Sequence, residues 1–238
     1  MKRHGNLWSS ITERGNIAFA HQKARLNKAH YSAVKRFECD AEANIDLIQQ
    51  MLVEKTFTTS EYVVEDRLES GKMRRIYKLP YFPDRVVHHA LMNVVGPIFI
   101  NLMIRDTFQS LPGRGTSDAK RRVESRLRTD PQGYALQVDI KKYYPNVNNE
   151  YLKSVIRRKI KCSDTLWLLD NIIDSLAGLP IGGLPSQYFG NVNLTPFDWW
   201  AKQVLGVRYY YRYCDDIVLM HDSKAQLREW RKQVEEKL

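Results

Sequence analysis

Two adjacent carboxylates, Asp215 and Asp216, stand between an aromatic run, Tyr209-Tyr-Tyr-Arg-Tyr213, and an aliphatic one, Ile217-Val-Leu-Met220. Both runs have strand composition, so the acidic pair falls at a tight turn where the chain reverses at a sheet edge. Like charges so placed repel each other, and their hard oxygen donors suit Mg²⁺. A third carboxylate, Asp139, ends another alternating run, Gly133-Tyr-Ala-Leu-Gln-Val-Asp139-Ile140. If the two strand ends are neighbours, the three carboxylates converge. Such a cluster can hold two metal ions roughly 3.5–4 Å apart, clamping the attacking and leaving oxygens of an in-line phosphoryl transfer. Taken alone, an Asp-Asp pair is more often an ordinary turn dipeptide, since Asp is a favoured turn residue.

The elements around these carboxylates follow from periodicity. Residues 15–55 read as helical, with a basic stretch (Lys23, Arg25, Lys28, Lys35) and then Ala43, Ile45, Leu47, Ile48 and Leu52 at a period near 3.6. Tyr62 to Glu65 and Met73 to Leu79 read as two strands joined by a turn at Ser70-Gly71. Asp84 to Ile104 is helical, with His88, Leu91, Val95 and Phe99 along one side; His88 and His89 point apart on it and share no metal. A Gly-rich loop (Leu111 to Ser117) leads into a basic helix, Lys120 to Arg128. Helices are expected at Asn148 to Ile160 and Asp164 to Ala177, a loop from Gly178 to Ser186 that opens a helix at Gln187, strands at Val207 to Tyr213 and Ile217 to Met220, and a last amphipathic helix, Ser223 to Leu238. Helices mixed with hairpin-type strands indicate an α+β fold.

The 238 residues fit one large domain or two closely packed lobes, and a 43% hydrophobic content suffices for a core. Lys and Arg number 37 against 27 Asp and Glu, a net +10 that suits a phosphate backbone as partner. The three cysteines, Cys39, Cys162 and Cys214, are far apart and form no CxxC pair, which supports neither a zinc site nor a disulfide framework and suggests a cytoplasmic setting. The basic N-terminus lacks the apolar run of a secretory signal. The longest apolar stretch, Val94 to Ile104, is broken by Gly96, Pro97 and Asn101 and falls short of the ~18 residues that span a bilayer, so no membrane partner is expected.

Three segments, QVDIKKYYPNV (137–147), GLPIGGLPSQYFGNVNL (178–194) and YRYCDDIVLM (211–220), occur in that order and together resemble motifs A, B and C of reverse transcriptases. Upstream, GKMRRIYKLPYFPDRVVHHAL (71–91) resembles the fingers segment of these enzymes, and LPGRGTSDA (111–119) the template-side loop that follows it. The resemblance covers roughly residues 40–222, in collinear order. Within the family, Gly178-Leu-Pro-Ile-Gly-Gly-Leu-Pro-Ser-Gln187 is most similar to the GLPIG…SQ signature of diversity-generating retroelements of bacteria and their phages; group II intron enzymes carry QGG…SP there.

The resemblance implies a right-hand polymerase fold, with fingers at about 1–130, a palm with an antiparallel sheet at about 131–238, and no thumb in this chain, which ends soon after Asp216. It implies an RNA-directed DNA polymerase that uses two Mg²⁺ ions (Mn²⁺ as a substitute), dNTPs, an RNA template and a DNA primer in a bacterial or phage-infected cell, with a small basic accessory protein as a further partner. Asp139 and Asp215 would ligate both metals, Asp216 would be less directly bonded, and the Ile140 carbonyl would face the nucleotide-bound metal. Tyr144 matches the steric gate that excludes a 2′-hydroxyl, while one of Tyr143 and Tyr144 packs in the core. Lys72, Arg74 and Arg75 lie on the second fingers strand; alternation sends the two arginines to opposite faces, so one of them reaches the triphosphate. Ile181, Gly182 and Gln187 would lie at the nucleotide, and Arg114, Gly115, Lys120, Arg121 and Tyr213 along template and primer. Retroviral enzymes place a glutamine at the position of Ile181. An apolar side chain there makes no hydrogen bonds to the substrate, which implies error-prone synthesis unless Ile181 simply packs beneath the loop. The alternatives are a group II intron-like enzyme, an RNA-directed RNA polymerase, which Tyr144 and the YCDD sequence argue against, or a non-catalytic nucleic-acid-binding fragment that kept the fold.

Overall fold

Alternation before Asp139 and on both sides of the Asp215-Asp216 pair produces strands as expected. In a computed structural model, which describes residues 3–69, 71–129 and 133–238, these are β4 (Tyr134–Asp139), β5 (Tyr209–Tyr213) and β6 (Asp216–His221). Both β4 and β5 pair antiparallel with β6. A short strand β3 (Thr107–Phe108) adds to the free side of β5 in parallel, so the sheet order is β3-β5-β6-β4. The antiparallel expectation holds for the three long strands. The parallel pair at β3 was not legible, because two residues carry no alternation.

The chain folds into two compact units that interleave in sequence: Met1–Phe99 with Val147–Phe189, and Ile100–Asn146 with Gly190–Leu238. Packing defines these units. Strand β3 and helix α6 (Thr116–Thr129) join the second unit because β3 hydrogen-bonds to β5. Helices α8 (Asn149–Arg157) and α9 (Ser163–Ile173) join the first, where Asn171 accepts from the Thr59 N–H at 3.0 Å and His4 bridges to Ile160.

In the second unit, Tyr210, Ile217 and Leu219 project from the sheet onto Phe197 and Ala201 of α10 (Leu184–Gln203) and onto Leu227, Trp230 and Val234 of α11 (Lys224–Lys237). Ser223 caps α11, its hydroxyl accepting from the Gln226 N–H at 3.3 Å, a bond of the kind worth ~1 kcal/mol. Burial of this apolar layer, at roughly 25 cal/mol per Å², fixes the register of β4, β5 and β6, since a slip by one residue would turn every inward side chain outward.

In the first unit, the helical stretch expected over 15–55 divides into α2 (Arg14–Ala24), α3 (Ser32–Glu38) and α4 (Ala41–Val53), preceded by α1 (Trp8–Thr12). The expected hairpin forms as β1 (Val63–Glu69) and β2 (Lys72–Lys78), in register from Val63 opposite Lys78 to Glu69 opposite Lys72. Its Ser70 lies outside the described residues. A wide turn, Tyr81–Arg85, precedes α5 (Val86–Ile100), on which His88, Leu91, Val95 and Phe99, expected along one side, are all buried. The fully buried Asp84 accepts from the Ser60 N–H at 2.9 Å and its hydroxyl at 2.7 Å, anchoring the strap that leads into β1. A short helix, α7 (Tyr143–Asn146), follows β4.

Candidate active site

Strand register brings the carboxylates together. Asp139, the last residue of β4, pairs directly with Asp216, the first of β6, and Tyr213 pairs with Asp216 across the two-residue turn Cys214-Asp215. Directly opposed residues share one face of a sheet with Cβ atoms roughly 4.5–5.5 Å apart. The Ile140 N–H donates to the Asp215 carbonyl at 3.4 Å, tying the end of β4 to the turn. Asp139 and Asp216 are exposed and Asp215 is half-buried, so a solvent-borne cation and its ligands can reach them. The donor set is all hard oxygen, which fits Mg²⁺ or Mn²⁺ rather than a soft metal. Among the described residues, no group of three His, Cys, Asp or Glu side chains is drawn together tightly enough to hold an ion by itself. Repulsion between like carboxylates works against such closure until a cation neutralises it.

Beneath the turn lies a group of residues that the sequence did not disclose. Arg212 and Asp198 are both fully buried, and the guanidinium grips the carboxylate twice, Nε to Oδ1 at 2.7 Å and Nη2 to Oδ2 at 2.6 Å. Nη1 donates to Asn191 Oδ1 and to the Cys214 carbonyl, both at 2.9 Å, and Nη2 donates also to the Asn191 carbonyl at 3.2 Å. All five guanidinium donors are thereby used. Asp198 further accepts from Tyr210 Oη at 2.6 Å and Thr107 Oγ1 at 3.3 Å. Burial pulls the Arg212 pKa down, but the charge and hydrogen bonds of Asp198 more than offset it and leave it raised. The available signal was an arginine at an inward position of the alternating run YYYRY, where only a buried partner could satisfy it.

Cys214 adopts φ +56°, a left-handed conformation that costs a non-glycine residue roughly 1 kcal/mol or more. Burial pushes its thiol pKa up to about 12, with Asp215 adding to the rise, so it stays neutral. The thiol donates to Tyr144 Oη at 3.5 Å. Tyr144 is half-buried, and burial, reinforced by Cys214, raises its hydroxyl pKa far above the usual range. Tyr143 is the core member of the pair. It is buried, donates to the Gly190 carbonyl at 2.6 Å and accepts from Asn193 Nδ2 at 3.2 Å. A Cβ on Gly190 would lie 3.4 Å from Tyr144 Oη, so glycine leaves room for that ring.

The Gly-rich loop is tied to the same region. Gln109 and Ser110 have φ +81° and +54°, the Gln109 N–H donates to the Arg114 carbonyl at 3.1 Å, and Asn191 Nδ2 donates to the Gln109 carbonyl at 3.2 Å. Of the residues expected along template and primer, Arg114 is half-buried and donates to the Ile104 carbonyl at 3.0 Å, an internal tie rather than an open cation. Gly115 is exposed just before α6; Lys120 lies 3.7 Å from Glu124 and Arg121 3.3 Å from Asp118, both on the exposed surface. Tyr213 is exposed, its hydroxyl accepting from Thr116 Oγ1 at 3.2 Å.

The remaining expected residues belong to the first unit. Lys72, Arg74 and Arg75 are exposed on β2, and Arg75 is engaged by Asp66 through bonds of 3.1 and 3.4 Å. Ile181 is half-buried and its carbonyl accepts from the Tyr77 N–H at 2.8 Å, docking the 178–186 loop on the end of β2. Gly182 permits that approach: it sits at φ +122°, and a Cβ there would stand 2.9 Å from the Tyr77 carbonyl oxygen. Helix α10 begins at Leu184, three residues earlier than predicted, so Ser186 and Gln187 lie within its first turn. A cleft of 480 Å³ opens beside this loop, lined by Gly182, Ser186, Tyr31, Tyr62 and the cations Lys28, Lys78 and Arg85; Ile181 and Gln187 are not among its lining residues.

The family model described as reverse transcriptase (RNA-dependent DNA polymerase) matches residues 64–238. The chain belongs to the reverse transcriptase family. Among solved structures it is similar to an apo telomerase from Candida tropicalis truncated from its C-terminal domain, with a TM-score of 0.53 and 12% identity, which shows a shared fold. That likeness covers 82% of this chain and 52% of the other, so this chain spans about half the length of that neighbour. No curated protein matches the chain. Among the described residues, no helix is long and apolar enough to cross a membrane.

Proposed function

We propose that the chain carries the catalytic centre of an RNA-directed DNA polymerase, in which a primer 3′-hydroxyl attacks a deoxynucleoside triphosphate and pyrophosphate leaves. The observation that carries this reading is the direct pairing of Asp139 with Asp216, with Asp215 in the adjoining turn, in a chain of the reverse transcriptase family. Asp139, Asp215 and, less directly, Asp216 would hold two Mg²⁺ or Mn²⁺ ions, with the Ile140 carbonyl beside them. Bound there, the cations supply charge neutralisation at the transferring phosphoryl group and lower the proton affinity of the attacking hydroxyl. The protein's own part is positioning. Tyr144 presents its ring as the gate against a 2′-hydroxyl, and its hydroxyl stays protonated. Either Arg74 or Arg75 approaches the triphosphate; Arg75 would have to leave Asp66 to do so.

The motif over 178–187 supports a finer reading, a polymerase of a diversity-generating retroelement whose template is a repeat-derived RNA of the same element and whose partner is a small basic accessory protein, in the reducing cytoplasm of a bacterial or phage-infected cell. Fixing of the Ile181 backbone by Tyr77 gives its apolar side chain a defined place, in keeping with error-prone synthesis. An Ile181→Gln variant with an unchanged misincorporation spectrum would count against that part alone.

Primer extension on poly(rA)/oligo(dT) with Mg²⁺ or Mn²⁺, comparing the chain with Asp215→Asn, tests the main proposal. Extension by the parent and its loss in the variant, by about a thousandfold or more, is the expected outcome. Equal extension by both, or Mg²⁺-independent nucleic-acid binding with no extension, would replace it with the binding-module reading.

A further inference from the structure

A buried arginine–carboxylate pair is often replaceable as a whole by apolar side chains without loss of stability, so stability alone does not account for the arrangement under the catalytic turn. Its donors are distributed in a particular way. Two hold Asp198, and the other bonds reach both oxygens of Asn191 and the carbonyl of Cys214. Cys214 is the left-handed residue immediately before Asp215 and Asp216. A carbonyl pinned at 2.9 Å to a fully buried guanidinium with all its donors engaged fixes the peptide plane at which the chain reverses. The direction of the two carboxylates follows from that plane. Asn191, held by the same guanidinium, donates in turn to the Gln109 carbonyl, so the positively twisted start of the Gly-rich loop is referred to the same fixed point.

We propose that Arg212 is a positioning residue for metal binding: anchored on Asp198, its hydrogen bond to the Cys214 carbonyl sets the turn that presents Asp215 and Asp216. The inference rests on the polymerase reading and adds to it a residue that touches neither metal nor substrate.

The test is Mn²⁺ binding to the full chain, followed by loss of the free-ion electron paramagnetic resonance signal, which needs no turnover. Arg212→Lys keeps the buried charge but lacks the fork that reaches Asp198, Asn191 and Cys214 at once. It is expected to bind Mn²⁺ about tenfold more weakly, the usual size of the effect when a group supporting metal ligands is lost. Cys214→Gly adopts the left-handed conformation without help, so adding it to Arg212→Lys is expected to recover most of that affinity. A role in stability alone would predict no such rescue. Melting followed by circular dichroism establishes that each variant is folded. If Arg212→Lys does not fold, Arg212→Gln combined with Asp198→Asn, which removes the fork without leaving a buried charge unpaired, is read the same way. Equal Mn²⁺ affinity in the parent and the folded variant overturns the inference and leaves the polymerase reading standing. A parent chain that binds no Mn²⁺ overturns both.

Discussion

Each unit buries a basic side chain, and the two do so by opposite routes. In the second unit Arg212 is fully buried yet keeps its charge, because all five donors meet acceptors and Asp198 supplies the counter-charge. In the first unit His88 is buried on α5 with its Nε2 unpartnered among the described residues, and burial lowers its pKa to about 3. The chemistry of the side chains decides the route. A guanidinium cannot shed its proton within the range proteins tolerate, so it must be satisfied; an imidazole can, so it becomes neutral instead. On the β1–β2 ribbon of the first unit, by contrast, paired charges lie at the surface, where Glu65 meets Arg67 and Lys78, and Asp66 meets Arg75. Charge in the second unit is an internal brace for a turn. On the ribbon it is held in solvent.

The contrast is broken most sharply at Asp198. Asp198→Asn retains the shape but leaves the buried guanidinium without a counter-charge, and removing one partner of such a pair costs about 3–5 kcal/mol. Urea unfolding followed by tryptophan fluorescence should show a fall of that size, and the turn that bears Asp215 should lose its place with it. A loss below about 1 kcal/mol would mean that water reaches Arg212 and the brace is not dry.

The neutral histidine gives a pH signature of definite sign. Folded His88 has a pKa of about 3 and His89 of about 4, burial being the main cause in both, against 6.5 for an unperturbed imidazole. Between these values the unfolded chain binds a proton that the folded chain refuses, so stability is lost as pH falls below about 6.5. The upper limit is about 1.4 kcal/mol per pH unit for each such imidazole. His88→Gln should flatten the acid limb of stability against pH, while Arg212, ionised throughout, contributes no slope there. An acid limb equally steep in the variant would show that His88 is protonated in the fold.

Much of this was legible locally and some of it could not be. Asp139 and the Asp215-Asp216 pair could be found because each ends an alternating run, and a strand's register with its neighbour needs only apolar faces to match. Arg212 was hidden in the same run, since its partners Asp198 and Asn191 are on α10 and no periodicity links them to β5. Left-handed backbone at Gln109, Ser110 and Cys214 has no composition signal, because none of them is glycine. Glycine at 182 was expected to lie at the nucleotide. The approach that the structure shows is to the Tyr77 carbonyl, a pairing far apart in sequence.

That approach offers a finer test of the first unit. Gly182→Ala would force a Cβ to within 2.9 Å of backbone at φ +122°, and neither can shift cheaply. Destabilisation of about 1–3 kcal/mol is expected, with loss of the Tyr77–Ile181 hydrogen bond visible as faster amide exchange at Tyr77. A variant as stable as the parent would show that the loop is not held against β2.

The ribbon should yield the smallest effect on stability. Arg75 and Asp66 are both well exposed, and each shifts the other in the sense of an ion pair: the hydrogen bond with Arg75 lowers the Asp66 pKa, and that with Asp66 raises the Arg75 pKa. Exposed pairs of this kind are screened by salt and hold little against solvent. Arg75→Ala should therefore leave the unfolding midpoint unchanged in low or high salt. On the proposed polymerase reading any cost falls on nucleotide binding, read as a rise in KM for dNTP with kcat preserved. The same change at Arg74, on the other face of the strand, supplies the comparison: whichever variant raises KM identifies the arginine that meets the triphosphate. A fall in the melting temperature of Arg75→Ala would mean instead that the ribbon depends on its surface charges to stay folded, and that the distinction between braced and solvent-held charge does not separate the two units.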